Sequence, residues 1–340
     1  MPTVTRDGTG GVTAAVTRRW RAIDPLLPAP SAPSRGCGAE LSVTGPDGQP
    51  TAIGFCEHWH EGPGSMELTW GAASRFRLTA HTAGPDVAGA LDELLSRWQA
   101  HLAAVPETRA DDSAATVMWP SRDIDGPPPL LRHGLAPRAV IAARPAGRAT
   151  GPAAAAPAGP SAPGPADPAG PASLLRPGVR IRRAGPADID AVVGLGMATI
   201  RFDAHFGTVI ERPWSAEALR GDASALLAEP AVWTWLAEDD GHPVAMLYAE
   251  PPAAAGWIAP MTGASPVAYL ELTYVQPDDR GQGAGPALVR QLHQEADAAG
   301  TAVTLLHYEQ VNPLSGPFWS RQGYRPLWTS WEARPARTLR

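Results

Sequence analysis

The sequence contains no lysine, since all 28 of its Lys+Arg residues are arginine. This absence excludes enzymes that need a lysine amine, such as Walker A nucleotide hydrolases, pyridoxal-phosphate enzymes and protein kinases. The two cysteines, Cys37 and Cys56, are too few for a disulfide framework in 340 residues. An amino-terminal apolar segment is missing, and so is a proline-free apolar run of membrane-spanning length. We therefore expect a cytoplasmic protein that makes no membrane contact.

The net charge of −6 and the scattered arginines argue against a nucleic-acid partner, because such proteins usually carry a basic patch. The length of 340 residues favours two domains. Residues 149–173 are almost entirely Ala, Gly and Pro, and the repeated prolines prevent a helix there. We predict domains at 1–148 and 178–340 joined by a Pro/Ala/Gly-rich linker at 149–177. The oligomeric state is left open.

The region after the linker alternates strand and helix patterns in an α+β order. Helices are predicted at 188–201, 213–227, 286–299 and 314–322, and strands at 179–183, 232–238, 243–250, 268–275, 301–308 and 324–333. Residues 76–102 align without gaps with residues 270–296, and both contain a Leu-Thr pair at the same place. This similarity indicates that the two parts of the chain arose by duplication; the alternative is a strand–helix–Gly order that any two α+β domains share.

A glycine-rich loop lies between the predicted strand at 268–275 and the next helix. Its sequence over 275–286 is VQPDDRGQGAGP. Alternate glycines allow close approach of a ligand to the backbone, and the following helix offers unpaired N–H groups and a positive dipole end. Arg280 adds a cation. A dinucleotide-binding Rossmann motif fits poorly, because the third glycine comes one position early and no acidic residue follows in the next strand.

This segment resembles motif A of the GCN5-related N-acetyltransferases, the GNAT superfamily. In that motif a strand ending in Val is followed by Pro and by (Arg/Gln)-x-x-Gly-x-(Gly/Ala), and Arg280, Gly283 and Gly285 stand at the matching positions. A second segment, NPLSGPFWSRQGY over 312–324, is similar to the family's later segment, in which Asn precedes a short helix ending in Gly and an aromatic residue. The resemblance covers essentially the whole region after the linker.

The resemblance implies an α+β fold with a mixed sheet, arranged as two GNAT-like domains in tandem. In this family acetyl-CoA enters a wedge between two parallel strands that splay apart. By analogy, the backbone of Val275 would bind the acetyl carbonyl, the loop N–H groups would hold the pyrophosphate, and Asn312 would contact the pantetheine arm. The cofactor-binding residues expected on this basis are Val275, Arg280, Gly281, Gln282, Gly283, Ala284, Gly285, Asn312 and Trp319.

The amino-terminal copy departs from the motif. In the ungapped alignment Asp86 stands opposite Arg280, and Leu91 stands opposite Gly285. A carboxylate at the pyrophosphate position would repel it. We therefore expect a degenerate GNAT-like domain that binds acetyl-CoA weakly or not at all and that covers the catalytic half or shapes its substrate cleft.

The implied reaction is direct transfer of acetyl to a primary amine of a small molecule or peptide, since no cysteine lies in the catalytic half. The amine must lose a proton, and Glu271 is the candidate base, expected to share a strand face with Thr273 and Val275; an exposed strand carboxylate is the alternative. His307 and Glu309 are lesser candidates. Trp319 stands where the family usually has a tyrosine acid, so Tyr308 or Tyr324 would donate the proton, or the thiolate would leave unaided.

Four further residues are candidates for an amine pocket, with core packing as the alternative: Phe202, His205, Phe206 and Trp214. Cys56, His58 and His60 alternate on a predicted strand, but without a second ligand cluster nearby we predict no metal site. A non-catalytic acyl-CoA-binding regulatory module and a partner-binding scaffold remain alternatives to an enzyme.

Overall fold

The computed structural model describes residues 6–31, 38–148, 175–207, 209–229 and 233–340. Most of the predicted linker, 149–174, and Cys37 lie outside the described residues. The helices of the described part are α1 Arg6–Ile23, α2 Glu67–Trp70, α3 Val87–Ala103, α4 Pro127–Arg132, α5 Ile189–Ala204, α6 Ser215–Leu227, α7 Ala284–Ala298 and α8 Ser315–Arg321. Its strands are β1 Glu40–Thr44, β2 Pro50–His60, β3 Ser74–Thr82, β4 Ser113–Pro120, β5 Ala136–Pro145, β6 Val179–Arg183, β7 Trp233–Asp239, β8 His242–Glu250, β9 Val267–Val275, β10 Val303–Glu309 and β11 Arg325–Ala333.

The strands of the described part form one sheet in the order β1-β2-β3-β4-β11-β5-β10-β9-β8-β7-β6. The pairs β3–β4 and β9–β10 are parallel, and the other pairs are antiparallel. The two halves repeat one order of elements, β3-α3-β4-α4-β5 and β9-α7-β10-α8-β11. This mixed sheet agrees with the predicted α+β class.

The last strand of each half lies in the sheet of the other half. Strand β11 pairs with β4, and strand β5 pairs with β10. As a result, Trp331 of β11 packs in the core beneath α3, and Val140 of β5 packs in the core beneath α7. The two halves therefore share one sheet, and neither half keeps its complete sheet without the other.

Helix α3 packs on β1, β2 and β3, and helix α7 packs on β7, β8 and β9. Both are amphipathic: α7 buries Leu288, Val289, Leu292 and Ala296, which recur at helical spacing. Full burial of a leucine side chain contributes about 2 kcal/mol. On the opposite face of the sheet, α1 packs over β2 and β3 and shares a core with residues of β5, β10 and β11, while α5 and α6 pack over β7, β8 and β9. This arrangement leaves the space between β9 and β10 to be shaped by α5, α7 and α8.

Candidate active site

Strands β9 and β10 pair along only part of their length. Residues 267–270 of β9 pair in parallel with residues 303–306 of β10. Beyond this stretch β9 continues to Val275 and β10 continues to Glu309, and no pairing joins the two continuations in the described structure. The two strands thus diverge and open a wedge at the carboxyl end of the parallel pair, as the resemblance implied.

A bulge in β9 places Glu271 at the start of this wedge. On the neighbouring strand β8, Ala249 pairs with Leu270 and Tyr248 pairs with Leu272, so Glu271 is the extra residue. Leu270 consequently packs towards α7, whereas Leu272 packs towards α5 and α6. Simple alternation therefore fails at Glu271, and the predicted common face with Thr273 and Val275 is wrong.

A cavity of about 1160 Å³ occupies the wedge. It runs from the glycine-rich loop, past the diverging ends of β9 and β10, to a wall made by β8, α6 and α2. Of the predicted site residues, those that line it are Glu271, Val275, Arg280, Gly281, Gly283, Ala284, Gly285, Tyr308, Asn312, Trp319 and Phe202, together with His307 and Glu309. The structure thus brings most of the predicted site into one space.

The glycine-rich loop ends at the amino terminus of α7 without a side-chain cap. Gly283 is the N-cap residue and has a φ of 88°, in the left-handed region that favours glycine. The first N–H groups of any helix lack intrahelical acceptors, and they carry the positive end of the helix dipole. A Cβ on Gly285 would lie 3.5 Å from Val275 and Phe318, so a larger side chain would enter the wedge. Gln282 lies outside the cavity wall, with its Nε2 donating to the carbonyl of Asp278.

Arg280 lies at the junction of the loop and α5. Its guanidinium stacks 4.6 Å from the ring centre of Phe202, and its Nε donates to the carbonyl of Val275 over 3.1 Å. Both contacts hold the arginine against the cavity wall. Phe202, which the sequence assigned to the amine pocket, therefore also packs against Arg280 of the glycine-rich loop.

The backbone of Val275 faces the wedge. The next residue, Gln276, donates its N–H to the carbonyl of Val244 on β8 over 2.9 Å. Because successive residues of an antiparallel strand direct their N–H and C=O groups to opposite edges, the amide of Val275 points away from β8. Its carbonyl accepts the Arg280 side chain on that same edge. A strand N–H in this position can donate to a developing oxyanion.

Glu271 carries a strongly perturbed carboxyl group. Burial, with smaller contributions from the negative charges of Glu250, Glu67 and Asp222, raises its pKa to about 7. The carboxylate makes no hydrogen bond or ion pair among the described residues. A carboxyl with this pKa can accept a proton near neutral pH, which is the property required of a general base.

Three residues near Glu271 carry no prediction in the sequence: Tyr248, Glu250 and Trp257. The Nε1 of Trp257 donates to Oε2 of Glu250 over 2.7 Å, and the hydroxyl of Tyr248 is hydrogen-bonded to the same carboxylate. Burial raises the pKa of Glu250 and, more strongly, that of Tyr248. One signal would have revealed two of them, since Tyr248-Ala249-Glu250 and Tyr269-Leu270-Glu271 repeat an aromatic-x-Glu pattern on adjacent strands.

His307 also faces the cavity. Its ring is open to the cavity and otherwise enclosed by protein, and this desolvation lowers its pKa to about 4. The Nδ1 atom lies 2.8 Å from the hydroxyl of Tyr269, whose own pKa is raised well above its ordinary value by burial. Near neutral pH both groups are therefore uncharged, and His307 is a weaker base than Glu271.

The candidate acids are separated by the fold. Tyr308 lines the cavity, and burial raises its pKa above the ordinary value, so that it keeps its proton at neutral pH. Tyr324 is 3% exposed and lies in the core, with its hydroxyl 3.2 Å from Nε2 of His293 and outside the cavity lining. A donor role for Tyr324 does not fit this placement. Trp319 is buried between Phe318 and Tyr324 and presents only part of its ring to the cavity.

Asn312 shapes the cavity through its own hydrogen bonds. Its Oδ1 accepts the N–H of Leu314 over 3.0 Å, which forms the turn that precedes α8. Its Nδ2 donates to Asp203 over 3.4 Å, and burial raises the pKa of Asp203 to about 6. Asn312 therefore lies at the predicted place, where it also joins β10 to α5.

Three of the four aromatic and histidine candidates for the amine pocket lie outside the cavity lining. His205 is exposed and its Nδ1 lies 2.8 Å from the carbonyl of Arg201, while Phe206 packs against Phe202. Trp214 begins α6, and its Nε1 donates to the carbonyl of Ser65 over 3.4 Å. The sequence misplaced these residues because a helical position alone does not show which neighbour the helix packs against.

The amino-terminal half supplies part of the acceptor wall. Met66, Glu67 and Trp70 of the α2 region line the cavity. Hydrogen bonds fix α2 to the segment before α6: Thr69 Oγ1 lies 2.9 Å from Ser215 Oγ, and Thr69 accepts the N–H of Ile210 over 2.9 Å. The cavity is thus composite, with its cofactor side from one half and part of its acceptor side from the other.

The alternating cysteine and histidine side chains of β2 make contacts within the protein. Burial raises the pKa of the Cys56 thiol to about 11, His58 stacks on Phe76, and the Nδ1 of His60 lies 3.0 Å from Ser74 Oγ. Within the described ranges, no group of three metal-ligating side chains is assembled. The described helices also include none that is long and apolar enough to cross a bilayer.

Solved structures of known proteins supply a comparison. A GCN5-related N-acetyltransferase from Sphaerobacter thermophilus is 14% identical, with 98% of this chain and 94% of that chain covered and a TM-score of 0.54. One from Kribbella flavida is 16% identical, with 94% and 93% covered and a TM-score of 0.41. An aminoglycoside N-acetyltransferase in complex with CoA is 18% identical, with 44% and 89% covered and a TM-score of 0.36. No curated protein matches the sequence.

Residues 206–324 match the acetyltransferase (GNAT) family. This segment of the chain is a GNAT acetyltransferase domain. The match to this domain confirms the expected acetyltransferase enzyme, with acetyl-CoA as its cosubstrate. The similarity to the Sphaerobacter thermophilus structure shows that the fold of a GNAT protein extends over nearly the whole chain. The matched segment contains the wedge, the glycine-rich loop and Glu271, so the family match and the cavity geometry concern the same part of the chain.

Proposed function

We propose that the carboxyl-terminal half binds acetyl-CoA in the wedge between β9 and β10 and transfers the acetyl group directly to a primary amine of a small molecule or peptide. The amine enters from the side bounded by β8, α6 and α2. The amino-terminal half acts as a structural partner that completes this acceptor wall. The observation that carries the proposal is one cavity that joins an uncapped helix terminus to a carboxyl group with a pKa of about 7.

Binding of the cosubstrate rests on the loop before α7. The free N–H groups at the start of the helix and the cation of Arg280 suit the two negative charges of a pyrophosphate. Gly281 and Gly283 allow the backbone to approach it, since both have positive φ values and a Cβ there would be strained. Asn312 and Phe318 border the narrow part of the wedge, which suits the pantetheine arm.

The transfer step uses three groups of this chain. Glu271 takes a proton from the ammonium form of the acceptor, and the freed nitrogen attacks the thioester carbonyl. The N–H of Val275 donates to the oxygen that becomes negatively charged as the carbon–nitrogen bond forms. The carbon–sulfur bond then breaks, and the protonated hydroxyl of Tyr308 supplies a proton to the sulfur. The nitrogen passes its second proton to the phenolate of Tyr308, and Glu271 releases its proton to solvent, which leaves the amide and free CoA.

The binding part of the proposal is tested by calorimetric titration of the full chain with acetyl-CoA. We expect one site per chain, because of the two equivalent helices α3 and α7 only α7 begins without a side-chain cap. Arg280→Glu places a carboxylate beside the pyrophosphate, so we expect it to abolish measurable binding. Arg21→Glu, an equal charge change at an exposed position on α1, should leave binding unchanged. Two sites per chain, or full binding by Arg280→Glu, would contradict the proposal.

The chemical part is tested by amine-dependent release of CoA, detected as free thiol, with a panel of primary amines. Turnover that requires both acetyl-CoA and an amine supports the proposal. A protein that binds acetyl-CoA and releases no thiol with any amine would instead be a regulatory acyl-CoA-binding module. A folded protein that does not bind acetyl-CoA would be a scaffold that retains only the fold.

A further inference from the structure

The acceptor end of the cavity has an excess of carboxylates. Glu67, Asp222, Glu250 and Glu271 all line it, and they come from α2, α6, β8 and β9. Their charges act on one another, since Glu250, Glu67 and Asp222 all disfavour ionisation of Glu271. The lining arginines, Arg280 and Arg321, belong instead to the glycine-rich loop and to α8. Asp203, Asp279 and Glu309 also line the rest of the cavity, so the two ends differ in their cations: both lining arginines lie beside the proposed cosubstrate site, and none lies at the acceptor end.

Glu271 and Glu250 differ in the hydrogen bonds that their carboxylates accept. Glu271 is buried, faces the cavity and makes no hydrogen bond or ion pair among the described residues. Glu250 is held in one orientation by Trp257 Nε1 at 2.7 Å and by the hydroxyl of Tyr248. Both donors to Glu250 are neutral, so its negative charge is oriented and remains uncompensated. A carboxylate without a counter-charge is costly where it is buried, as Glu271 is, and less so where it is half-buried, as Glu250 is, and a cationic ligand lowers that cost at both.

Aromatic rings line the path between the two carboxylates. Trp257 packs edge-to-face on Tyr269 with the ring centres 4.9 Å apart, and Trp257 remains 55% exposed. Tyr269 precedes Glu271 by two residues on β9, and its backbone pairs with that of Glu250 on β8. Such a wall suits the methylene groups of an alkyl amine and attracts an ammonium group through the aromatic faces.

We propose that the acceptor is a dicationic amine, whose reacting nitrogen lies at Glu271 and whose second ammonium is bound by Glu250 within the Trp257–Tyr269 wall. Glu67 of the amino-terminal half and Asp222 add longer-range attraction, so both halves select the acceptor. A monoamine neutralises one carboxylate and leaves the other without a counter-charge, whereas a diamine neutralises both. This inference rests on the proposed function, because it assigns the substrate class of the same site.

The test compares matched pairs of acceptors in the full chain with acetyl-CoA. Each α,ω-diamine of a series of increasing chain length is paired with the amino alcohol of equal length, which differs only in the second charge. We expect kcat/KM for the best diamine to exceed that of its amino alcohol by about tenfold or more, as one oriented charge-assisted hydrogen bond would give. The preference should weaken at high salt. Equal kcat/KM values across the series would overturn the inference.

Glu250→Gln keeps the size of the side chain and removes its charge. We expect the ratio of diamine to amino alcohol kcat/KM to fall by about tenfold in this variant, mainly through a higher KM for the diamine. Glu217→Gln, an equal change at an exposed position on α6 outside the cavity lining, should retain the ratio. A ratio that survives Glu250→Gln would overturn the inference.

Calorimetric binding of the same diamine and amino alcohol, with CoA present, separates failure of this inference from failure of the proposed function. Tighter binding of the diamine, lost in Glu250→Gln, supports the dication site even where no thiol is released. Turnover of amines with no preference for the diamine leaves the proposed function intact and overturns the inference. Absence of both turnover and diamine preference overturns both.

Discussion

Strands β3 and β9 hold equivalent places in the two halves of the sheet, and a comparison of the segments after them shows how the halves differ. After β9, the N–H of Gln276 donates to Val244 of β8; after β3, the N–H of Ala83 donates to Thr51 of β2. Each strand pairs in parallel with the next strand of its half for its first few residues only. Up to this point the two halves use the same architecture, so the strand pairing alone does not decide which half binds a nucleotide.

The two halves diverge in the loop and the cap that follow. Seven residues, 276–282, separate β9 from the N-cap Gly283, whereas three residues, 83–85, separate β3 from the N-cap Asp86. Asp86 accepts the N–H of Gly89 over 2.8 Å, so its own carboxylate already satisfies the terminus of α3. The ungapped alignment set Asp86 against Arg280, but the caps show that Asp86 corresponds to Gly283. The conclusion drawn from the alignment still holds, because a carboxylate occupies the position in the amino-terminal half at which a pyrophosphate would bind.

The second strand of each pair ends with the same turn and different neighbours. Asn312 Oδ1 accepts the N–H of Leu314, and Asp123 Oδ1 accepts the N–H of Asp125 over 3.3 Å. In the amino-terminal half, however, the buried ring of Trp119 fills the space beneath α4, and Arg19 of α1 pairs with Asp123 over 2.5 Å. A binding cleft therefore requires a long loop, an uncapped helix and an unfilled wedge together, and only the carboxyl-terminal half has all three.

The largest expected effect is on the chemical step, through the base that β9 provides. We expect Glu271→Gln to lower kcat by about 10²–10⁴-fold, because the acceptor ammonium then has no carboxylate to take its proton. In the unmodified enzyme, kcat/KM should rise with pH through about 7, the pKa of Glu271. That rising limb should disappear in the variant. A variant with normal kcat and an unchanged pH profile would remove Glu271 from the mechanism.

Stability measurements on the same variant provide a control for its folding. Burial raises the pKa of Glu271 above its unfolded value, so the folded state binds the proton more tightly. The stabilisation from this carboxyl is complete below the ordinary pKa of 4.5 and is lost as pH rises through about 7. Relative to the unmodified enzyme, Glu271→Gln should therefore gain stability between about pH 5 and pH 8, on the order of 1–2 kcal/mol after allowance for solvent in the cavity. Thermal melting at both pH values measures this gain.

The next largest effect is expected when the glycine N-cap of α7 is replaced by aspartate, the residue that caps α3. Gly283→Asp places a carboxylate at the helix terminus in a left-handed conformation, and we expect acetyl-CoA affinity to fall by roughly 100-fold. Gly283→Asn has nearly the same size without the charge, and it should lose roughly tenfold. Calorimetric titration measures both. Equal losses in the two variants would show that strain and volume decide binding at this cap and that charge does not.

The reciprocal substitution in the amino-terminal half should affect only stability. Asp86→Ala removes the cap hydrogen bond to Gly89 and should cost about 1 kcal/mol. It leaves the short loop and the filled wedge in place, so the stoichiometry should stay at one acetyl-CoA per chain. A second site in this variant would mean that the cap alone prevents binding in the amino-terminal half.

The sequence predicted the local elements of the carboxyl-terminal half well, because their signals are local. The strand expected at 268–275 is Val267–Val275, and the helix expected at 286–299 is Ala284–Ala298. The bulge at Glu271 and the exchange of β5 and β11 were not predicted, because both depend on which strand lies alongside. Strand alternation carries no information about that partner. The exchange matters for experiments, since truncation at the linker would remove a strand from each half of the sheet.

The cofactor side of the site was more predictable than the acceptor side. Gly283 and Arg280 belong to one short segment, so a motif can identify them together. Glu250, Trp257 and Glu67 meet across three separate elements, and only the packed structure places them around Glu271. Aromatic content was a poor guide, because Trp214 stabilises the contact between the halves through Ser65 instead of lining the cavity.

The smallest expected effect concerns Trp319, the position at which this chain departs from the family motif. Its indole N–H is a donor only and cannot protonate a leaving thiolate, so the ring contributes packing against Phe318 and Tyr324. Trp319→Phe should therefore keep kcat within about fivefold while costing about 1–3 kcal/mol of stability. Steady-state thiol release and thermal melting measure the two quantities. A thousandfold loss of kcat in a folded variant would assign Trp319 a chemical role and would show that Tyr308 does not replace the family's acid.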